Sequence, residues 1–433
     1  MSENTGHPAE ASGSTRREFM RHAVLAGSVA AATAPWLRAE AASPNETIRV
    51  GQIGCGGRAG AHMSSYEWLR EDQKMNVKIT AVCDIYKPRA ERAAKKYGAE
   101  KIYMDHKELL ADPNVDVVSI ATPDHHHGYQ ALDAILAGKD VYCEKPLTHW
   151  RQYELTRELC RAAMASQQVM QVGCQAMSDS AYHQMAKMVR DGMIGQPIHG
   201  ETGYFRVGDW GEVGMPIDDP KARPGADLNW DAFLGDAPKR PFNVSRLFRW
   251  RMYEDYSGGP VTDLFPHPLT PLMHILGVGF PSKAVAVGGK YRYNEREVPD
   301  TFNMLLEFPE KVCVAVLGTQ GNNDQGVDAR GAGGRVPIVR GHEGSLTIVD
   351  EDIVFKPAEG GKEKEEKRFH IEQPEDTKLF FKNFIECCMK RDKNTLSGPE
   401  LAFKVQTALH MAAYAQREEK TIRYDAVMEK IIL

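Results

Sequence analysis

The sequence predicts an α/β protein in two domains: a doubly wound parallel sheet, then a second α/β domain with a large, mostly antiparallel sheet. Three observations carry this. The 433 residues exceed what one hydrophobic core usually fills. In the first half, continuous apolar runs alternate with helical patterns, as strands buried on both faces require. In the second half, short alternating runs follow one another across brief turns, the pattern of antiparallel strands.

Residues 1–41 stand apart from both. Arg16 and Arg17 are followed by Phe19, an Ala-rich apolar stretch and Ala39-Glu40-Ala41, a small-x-small pattern. That order predicts a twin-arginine export signal, and hence a periplasmic or otherwise exported protein. The apolar run is too short and too Ala-rich for a membrane span. A net charge of −5, with 26% charged residues, gives no reason to expect nucleic acid or stable membrane insertion. Disulfides would suit an exported chain. However, Cys55, Cys83 and Cys143 fall in or beside predicted buried strands, Cys387 and Cys388 are adjacent, and there is no C-x-x-C. Mostly free thiols and no structural zinc are expected.

The first domain is placed at 46–170. Residues 47–63, TIRVGQIGCGGRAGAHM, read as a strand, a glycine turn and a helix start. Gly54, Gly56 and Ala59 (or Gly60) supply a G-x-G-x-x-G/A pattern, with Gly57 and Arg58 inside the turn. The first glycine allows the tight turn, and the second lets backbone approach a pyrophosphate seated on the helix N-terminus. A second strand over 77–86 carries Asp84, whose carboxylate suits ribose hydroxyls and repels a 2′-phosphate. NAD is therefore the expected cofactor. Lys87 keeps NADP open, and a helix-capping Asp84 is the plainer alternative.

A helix follows over 87–98. Residues 101–114 read as loop and short helix, 115–121 as strand, 128–138 as helix and 139–143 as strand. Ligands of such sheets lie beyond the strands' carboxyl ends, where two motifs fall: Thr122-Pro123-Asp124-His125-His126-His127 and Glu144-Lys145-Pro146. Thr122 and Pro123 are expected to line the nucleotide, with His125 and His127 beside them and the histidines capping the next helix. Adjacent histidines on a loop diverge and carry no matched ligand spacing, so no metal is expected. Glu144 and Lys145 stand at the mouth of a buried strand, where desolvating charge is costly. Either they form a satisfied ion pair, or Lys145 is held for chemistry with Glu144 as a partner for it or for nearby backbone.

The second domain is placed at 171–433. A first strand and a helix over 180–191 lead to strands at 199–207, 282–294, 301–309, 311–321 and 344–357. The charged stretch 356–370 reads as an exposed loop, and helices over 375–390 and 398–417 end the chain. The long segment 208–277 holds Trp210, Trp230 and Trp250. So long a stretch in a compact domain is functional or disordered, and the aromatics argue against disorder. Its aromatic faces and Arg forks suit a carbohydrate; ordinary packing would use them equally well. Asp263 and His267 are four apart, which on a helical turn puts them on one face. A carboxylate beside a histidine can orient it and raise its basicity.

GQIGCGGRAGAH, AVCDI, ATPDHHHGYQALDAILAGKDVYCEKPL and GGPVTDLFPHPLTPLMHILG together resemble the glucose–fructose oxidoreductase, inositol dehydrogenase and MocA (Gfo/Idh/MocA) family. The resemblance implies a Rossmann domain binding NAD(P), an α/β domain with an open, largely antiparallel sheet, and homodimers or homotetramers formed through that sheet. It implies a sugar, inositol or related polyol as substrate, and hydride transfer from a secondary alcohol. His267 would then be the base, assisted by Asp263, with Lys145 at the oxyanion or relaying a proton; in some members the lysine is the base. The acidic residue often found three after the histidine is Thr270 here, and His274 is expected to pack. Export narrows the chemistry, because a dehydrogenase outside the cytosol has to keep and regenerate its cofactor. It could oxidise one sugar while reducing another carbonyl, or cleave a glycoside by oxidation, elimination and hydride return. A non-catalytic sugar- or nucleotide-binding protein on the same scaffold is the third class.

Overall fold

The computed structural model describes residues 46–208, 215–331 and 334–433; the expected export signal and Trp210 lie outside them. The apolar runs of the first half become six parallel strands: β1 (Ile48–Ile53), β2 (Val77–Cys83), β3 (Lys101–Tyr103), β4 (Val117–Ile120), β5 (Asp140–Glu144) and β6 (Met170–Gly173). Their order is β3-β2-β1-β4-β5-β6. Val50, Val117, Ile120 and Val141 are fully buried, because helices lie on both faces. These are α1 (Gly57–Glu71), α2 (Lys87–Tyr97), α3 (His106–Ala111), α4 (Asp124–Leu136) and α5 (Tyr153–Ala165). The order reverses between β1 and β4, so the ligand crevice opens between the loops that follow those two strands.

Three details depart from the sequence reading. β3 lies where a loop was expected; it is a three-residue edge strand with no buried residue to announce it. α4 begins at Asp124, so the three histidines sit inside its first turn and do not cap it. β6 runs to Gly173, past the expected boundary at 170, because Met170–Gly173 pairs in register with β5.

The second half supplies α6 (Ser180–Arg190), β7 (Pro197–Val207), α7 (Trp230–Leu234), α8 (Val244–Phe248), α9 (Pro260–Asp263) and α10 (Pro266–Leu276). It continues with β8 (Lys283–Gly289), β9 (Thr301–Phe308), β10 (Val312–Thr319), β11 (Gly321–Asn322), β12 (Ala329–Arg330) and β13 (Gly334–Gly341). Then come β14 (Gly344–Val349), β15 (Asp352–Pro357), β16 (Lys367–His370), α11 (Thr377–Lys390), α12 (Pro399–Glu418), β17 (Ile422–Asp425) and β18 (Lys430–Ile432). The strands form a twelve-stranded sheet along β16-β15-β14-β13-β7-β10-β9-β8-β17-β18, with β11 on β7 and β12 on β13. Every pair is antiparallel except β7 with β10.

Residues 344–357 form a hairpin rather than one strand, with Asp350 at φ +54° in the turn. Residues 367–370, expected in a loop, pair with β15 as the edge strand β16. Charge suits an edge, which is why the pattern hides it.

Alternation sets the two faces of the sheet. Phe302, Met304, Leu306 and Phe308 point into the core, whereas Leu305 is 48% exposed beside Val285, its partner in register. On the core face, Leu272 and Leu276 of α10 lie so close to Gly200 of β7 that any Cβ there would meet them at about 3 Å. α11 turns back to the first half, where Phe380, Phe381 and Phe384 share one core with Val50, Tyr66 and Tyr142. The two halves therefore pack as one compact unit. All eight cysteines are free thiols. Among the described residues, no helix is long and apolar enough to cross a membrane.

Burial also stores a pH dependence. Desolvation pushes His149 and His267 down to about 3, and His126, His274 and His410 down to about 4, from an ordinary 6.5. Between those values the unfolded chain binds more protons than the folded one. The stability of neutral histidines is thus fully present above pH 6.5 and falls as pH drops toward 4. Melting temperatures should fall steadily between about pH 6.5 and about pH 4.5; a flat profile there would contradict this reading.

Candidate active site

The glycine loop after β1 is built for close approach. Gly54 has φ +80°, and a Cβ there would lie 2.6 Å from the Ala121 carbonyl oxygen and 2.9 Å from Thr122 Cγ2. The loops after β1 and β4 therefore touch at a point only glycine can occupy. Gly54→Ala should cost about 1–3 kcal/mol of stability and weaken NAD binding, read by denaturant unfolding and equilibrium titration; an unaffected variant would contradict the geometry. Gly56 caps α1 without any side-chain cap, and the Cβ position of Gly57 is open for at least 4 Å. The first N–H groups of α1 are thus available to an anion. Arg58 Nη2 is buried without a hydrogen-bond partner among the described residues. These features fit a dinucleotide pyrophosphate.

Asp84, at the end of β2, ties this loop down. Its Oδ2 accepts from the Cys55 N–H at 2.8 Å and its Oδ1 from the Tyr86 N–H at 2.9 Å. Burial pushes its carboxyl up, against the opposing charge of Arg89. It does not cap α2, whose cap residue is Tyr86 with no side-chain bond. Lys87 is half-buried and pairs with Glu91 and Asp227.

On the other wall, Pro123 occupies the cap position of α4, and Thr122 Oγ1 donates to Gln130 at 2.7 Å. The His127 ring lies between the carbonyl oxygens of Thr122 and Pro146, 2.7 Å from each, and so joins this loop to the Glu-Lys-Pro turn. His125 turns the other way: it and His126 each donate Nε2–H to the Phe233 carbonyl at 2.7 Å. The histidines thus serve as ties between loops, not as helix caps. Asp124 is 1% exposed, with both carboxyl oxygens lacking partners among the described residues. Burial pushes it up to about 8.

The Glu-Lys-Pro turn separates its two charges. Glu144 does not pair with Lys145. Its Oε1 accepts from Arg58 Nε at 2.8 Å, His62 Nε2 at 2.9 Å and Gln175 Nε2 at 3.1 Å. Burial alone would raise its carboxyl, but the Arg58 guanidinium and the His62 bond hold it well below the usual range. Gly173 makes room, since a Cβ there would meet Glu144 Cδ at 2.9 Å. Lys145 instead crosses to the second half, donating to Asp263 Oδ1 at 2.9 Å and to the Asp263 carbonyl at 2.6 Å.

Asp263 consequently does not orient His267 as the i, i+4 spacing suggested. α9 stops at Asp263 and α10 starts at Pro266, with Leu264–Phe265 as a turn between them, and the Asp263 carboxylate is taken by Lys145 and not by His267. Arg251 Nε donates to the same Asp263 oxygen at 3.2 Å. Between Lys145 and Arg251, the buried carboxyl is held far below its ordinary value. His267 is partly open beside the Tyr204 ring, 6.3 Å away, and no group among the described residues hydrogen-bonds its ring nitrogens. Desolvation, then the Lys145 charge, keeps it neutral.

Other expectations change or hold in detail. Thr270 is buried, donating Oγ1–H to the Pro266 carbonyl at 2.7 Å. His274 packs against His183, with nitrogens 3.1 Å apart. Trp230 stacks on Phe233 at 4.9 Å, and Trp250 lies under the Arg251 guanidinium at 4.2 Å. Both are buried, so they build a local core and not an open sugar platform. Arg251, His62, Gln175, Tyr204 and Asp124 went unread in the sequence. For His62 there was a signal: it falls on the buried stripe of α1 with Ala59, Met63 and Tyr66.

Residues 48–174 match the model of an oxidoreductase family with an NAD-binding Rossmann fold, and residues 178–337 match the C-terminal alpha/beta domain of that oxidoreductase family. The chain is 32% identical to inositol 2-dehydrogenase of Salmonella typhimurium over 162 residues, 36% of this chain and 45% of that protein. It is 29% identical to alpha-N-acetylgalactosaminidase of Shewanella oneidensis over 178 residues, 38% of this chain and 36% of that protein. It thus spans less than half the length of these relatives. Levoglucosan dehydrogenase in complex with NADH shares the fold with a TM-score of 0.64, over 89% of this chain and 99% of that one, at 18% identity. The glycine loop, the Glu-Lys-Pro strand end and the wide second sheet thus belong to one lineage: the chain is a member of the GFO/IDH/MocA oxidoreductase family.

Proposed function

We propose that the protein is an NAD-dependent oxidoreductase that takes hydride from a secondary alcohol of a sugar or polyol and keeps its cofactor for reuse on the same site. One observation carries this: Lys145, at the carboxyl end of β5, reaches across to Asp263 of the second half, and the charges of both act on the nearby His267 ring. The loop after β1, the N-terminus of α1 and Asp84 would hold NAD, which when bound supplies the hydride acceptor. Lys145 has three N–H donors and spends two on Asp263. The third can bind the substrate oxygen and stabilise charge developing there. His267, neutral and with its ring nitrogens unengaged, suits the role of proton acceptor from the hydroxyl. Asp263 positions the lysine, and Arg251 steadies Asp263.

Likeness to inositol 2-dehydrogenase and to levoglucosan dehydrogenase favours a cyclic polyol or sugar as substrate. Likeness to alpha-N-acetylgalactosaminidase favours a second reading, redox-neutral glycoside cleavage by oxidation, elimination and hydride return. Product analysis separates the two: ketosugar with accumulating reduced cofactor supports the first, and aglycone release without net cofactor change supports the second. No Lys145-dependent turnover of any sugar, polyol or glycoside would leave only a binding protein. The paired arginines near the N-terminus support export through the twin-arginine pathway, which cell fractionation would test. The exposed Val285, Val287 and Leu305 on the open sheet face support a homodimer or homotetramer formed there.

A further inference from the structure

The adenosine side of the crevice carries a charge arrangement that hydride transfer does not use. The segment between β7 and α9 has its own core, including Leu228, Trp230, Phe233, Leu247 and Phe248, and is fastened to the end of β2. The Lys87 N–H donates to the Asp227 carbonyl at 2.9 Å, and the Asn229 N–H to the Ile85 carbonyl at 3.0 Å. Tyr86 meets Phe248 edge-on at 5.6 Å. This seam delivers Asp218 to the first turns of α2. There its Oδ2 accepts from Arg89 Nε at 2.7 Å and Arg92 Nη2 at 3.1 Å.

Arg89 is not an ordinary surface cation. Its side chain is 19% exposed and its guanidinium lies against the Phe248 ring at 5.0 Å. Its Nη1 would be 3.5 Å from a Cβ on Gly56, so it borders the second glycine of the loop. It is also the charge that most opposes the desolvation of Asp84. A guanidinium is the usual bidentate partner of phosphate. A 2′-phosphate on a ribose taken by Asp84 would therefore face one group that repels it and one that binds it.

We propose that Asp218 is a cofactor-specificity residue: reaching over from the second half of the chain, it occupies Arg89 and so denies a 2′-phosphate its cation. Asp84 and Asp218 balance Arg89 and Arg92; without Asp218 the group carries a net positive charge and a free guanidinium edge. The discrimination is thus shared between a carboxylate that acts directly and one that acts through Arg89. Selectivity is a difference of affinities, and this arrangement works by removing an attraction.

The inference rests on the nicotinamide cofactor of the proposed function, and its test reads binding alone. NAD and NADP affinities are measured on nucleotide-stripped protein by equilibrium titration, and the ratio of the two dissociation constants is compared across variants. Asp218→Asn should shift that ratio toward NADP by about tenfold, and Asp218→Asn combined with Arg89→Ala should abolish the shift. Asp218→Ser serves the same purpose if Asp218→Asn does not fold. An unchanged ratio, or a shift that persists without Arg89, overturns the assignment of Asp218 and leaves the proposed function standing. Wild-type protein that binds neither nucleotide overturns both.

Discussion

Lys145→Met lowers turnover by about 10²–10⁴-fold in this account, the range spanned by a positioned proton-transfer or charge-stabilising group. The substitution keeps the volume of the side chain and removes its donors. NAD should still bind, because Gly54, Asp84 and the N-terminus of α1 belong to other elements. Asp263 keeps Arg251 as a counter-charge, so the fold survives. Turnover on the true substrate, measured beside NAD titration of the same protein, checks both halves. Full activity in the methionine variant would remove Lys145 from the chemistry.

Asp263→Ala has the second largest effect expected, and it falls on stability as well as activity. The Lys145 and Asp263 side chains are 11% and 6% exposed, so the pair has little water to fall back on. Removing the carboxylate leaves an uncompensated ammonium in the interior, a loss of about 3–5 kcal/mol. Asp263→Asn keeps an acceptor for Lys145 and should cost less than the alanine variant. Denaturant unfolding of the two variants gives the ordering directly. Equal stability of Asp263→Ala and wild type would mean that the pair contributes nothing to the fold.

The sequence discloses motif positions better than it discloses partners. Gly54, Asp84, Lys145 and Asp263 are legible because each needs a residue type at a fixed place on a strand end or turn. Their pairings are not, since side-chain partners come from elements far apart in the chain. Glu144 looks like a neighbour for Lys145, yet Arg58 and His62 from α1 take it. Asp263 looks like a partner for His267, yet Lys145 from the other half of the chain takes it. Edge strands β3 and β16 look like loops in the sequence because pairing on one side needs no apolar face. The tryptophans misled for a related reason: an aromatic at a sugar site and one in a small local core look alike until burial is known.

The two-sided construction of the site ties these points together. Lys145 directly follows β5 in the first half, and Asp263, Arg251 and His267 lie in the second half. The proposed reaction takes place where the halves meet, beside the contact that His127 makes between the loop after β4 and the Glu-Lys-Pro turn.

In the proposed reaction, hydride passes between substrate and a retained nicotinamide under the control of Lys145. Rapid mixing of NAD-loaded protein with a panel of sugars, polyols and glycosides, followed by nicotinamide absorbance, tests it most directly. A rise in reduced nicotinamide is expected with at least one compound, and none with the same compound in a Lys145→Met protein carrying the same amount of NAD. Reduction at the wild-type rate in that variant, or none with any compound in the wild type, would contradict it.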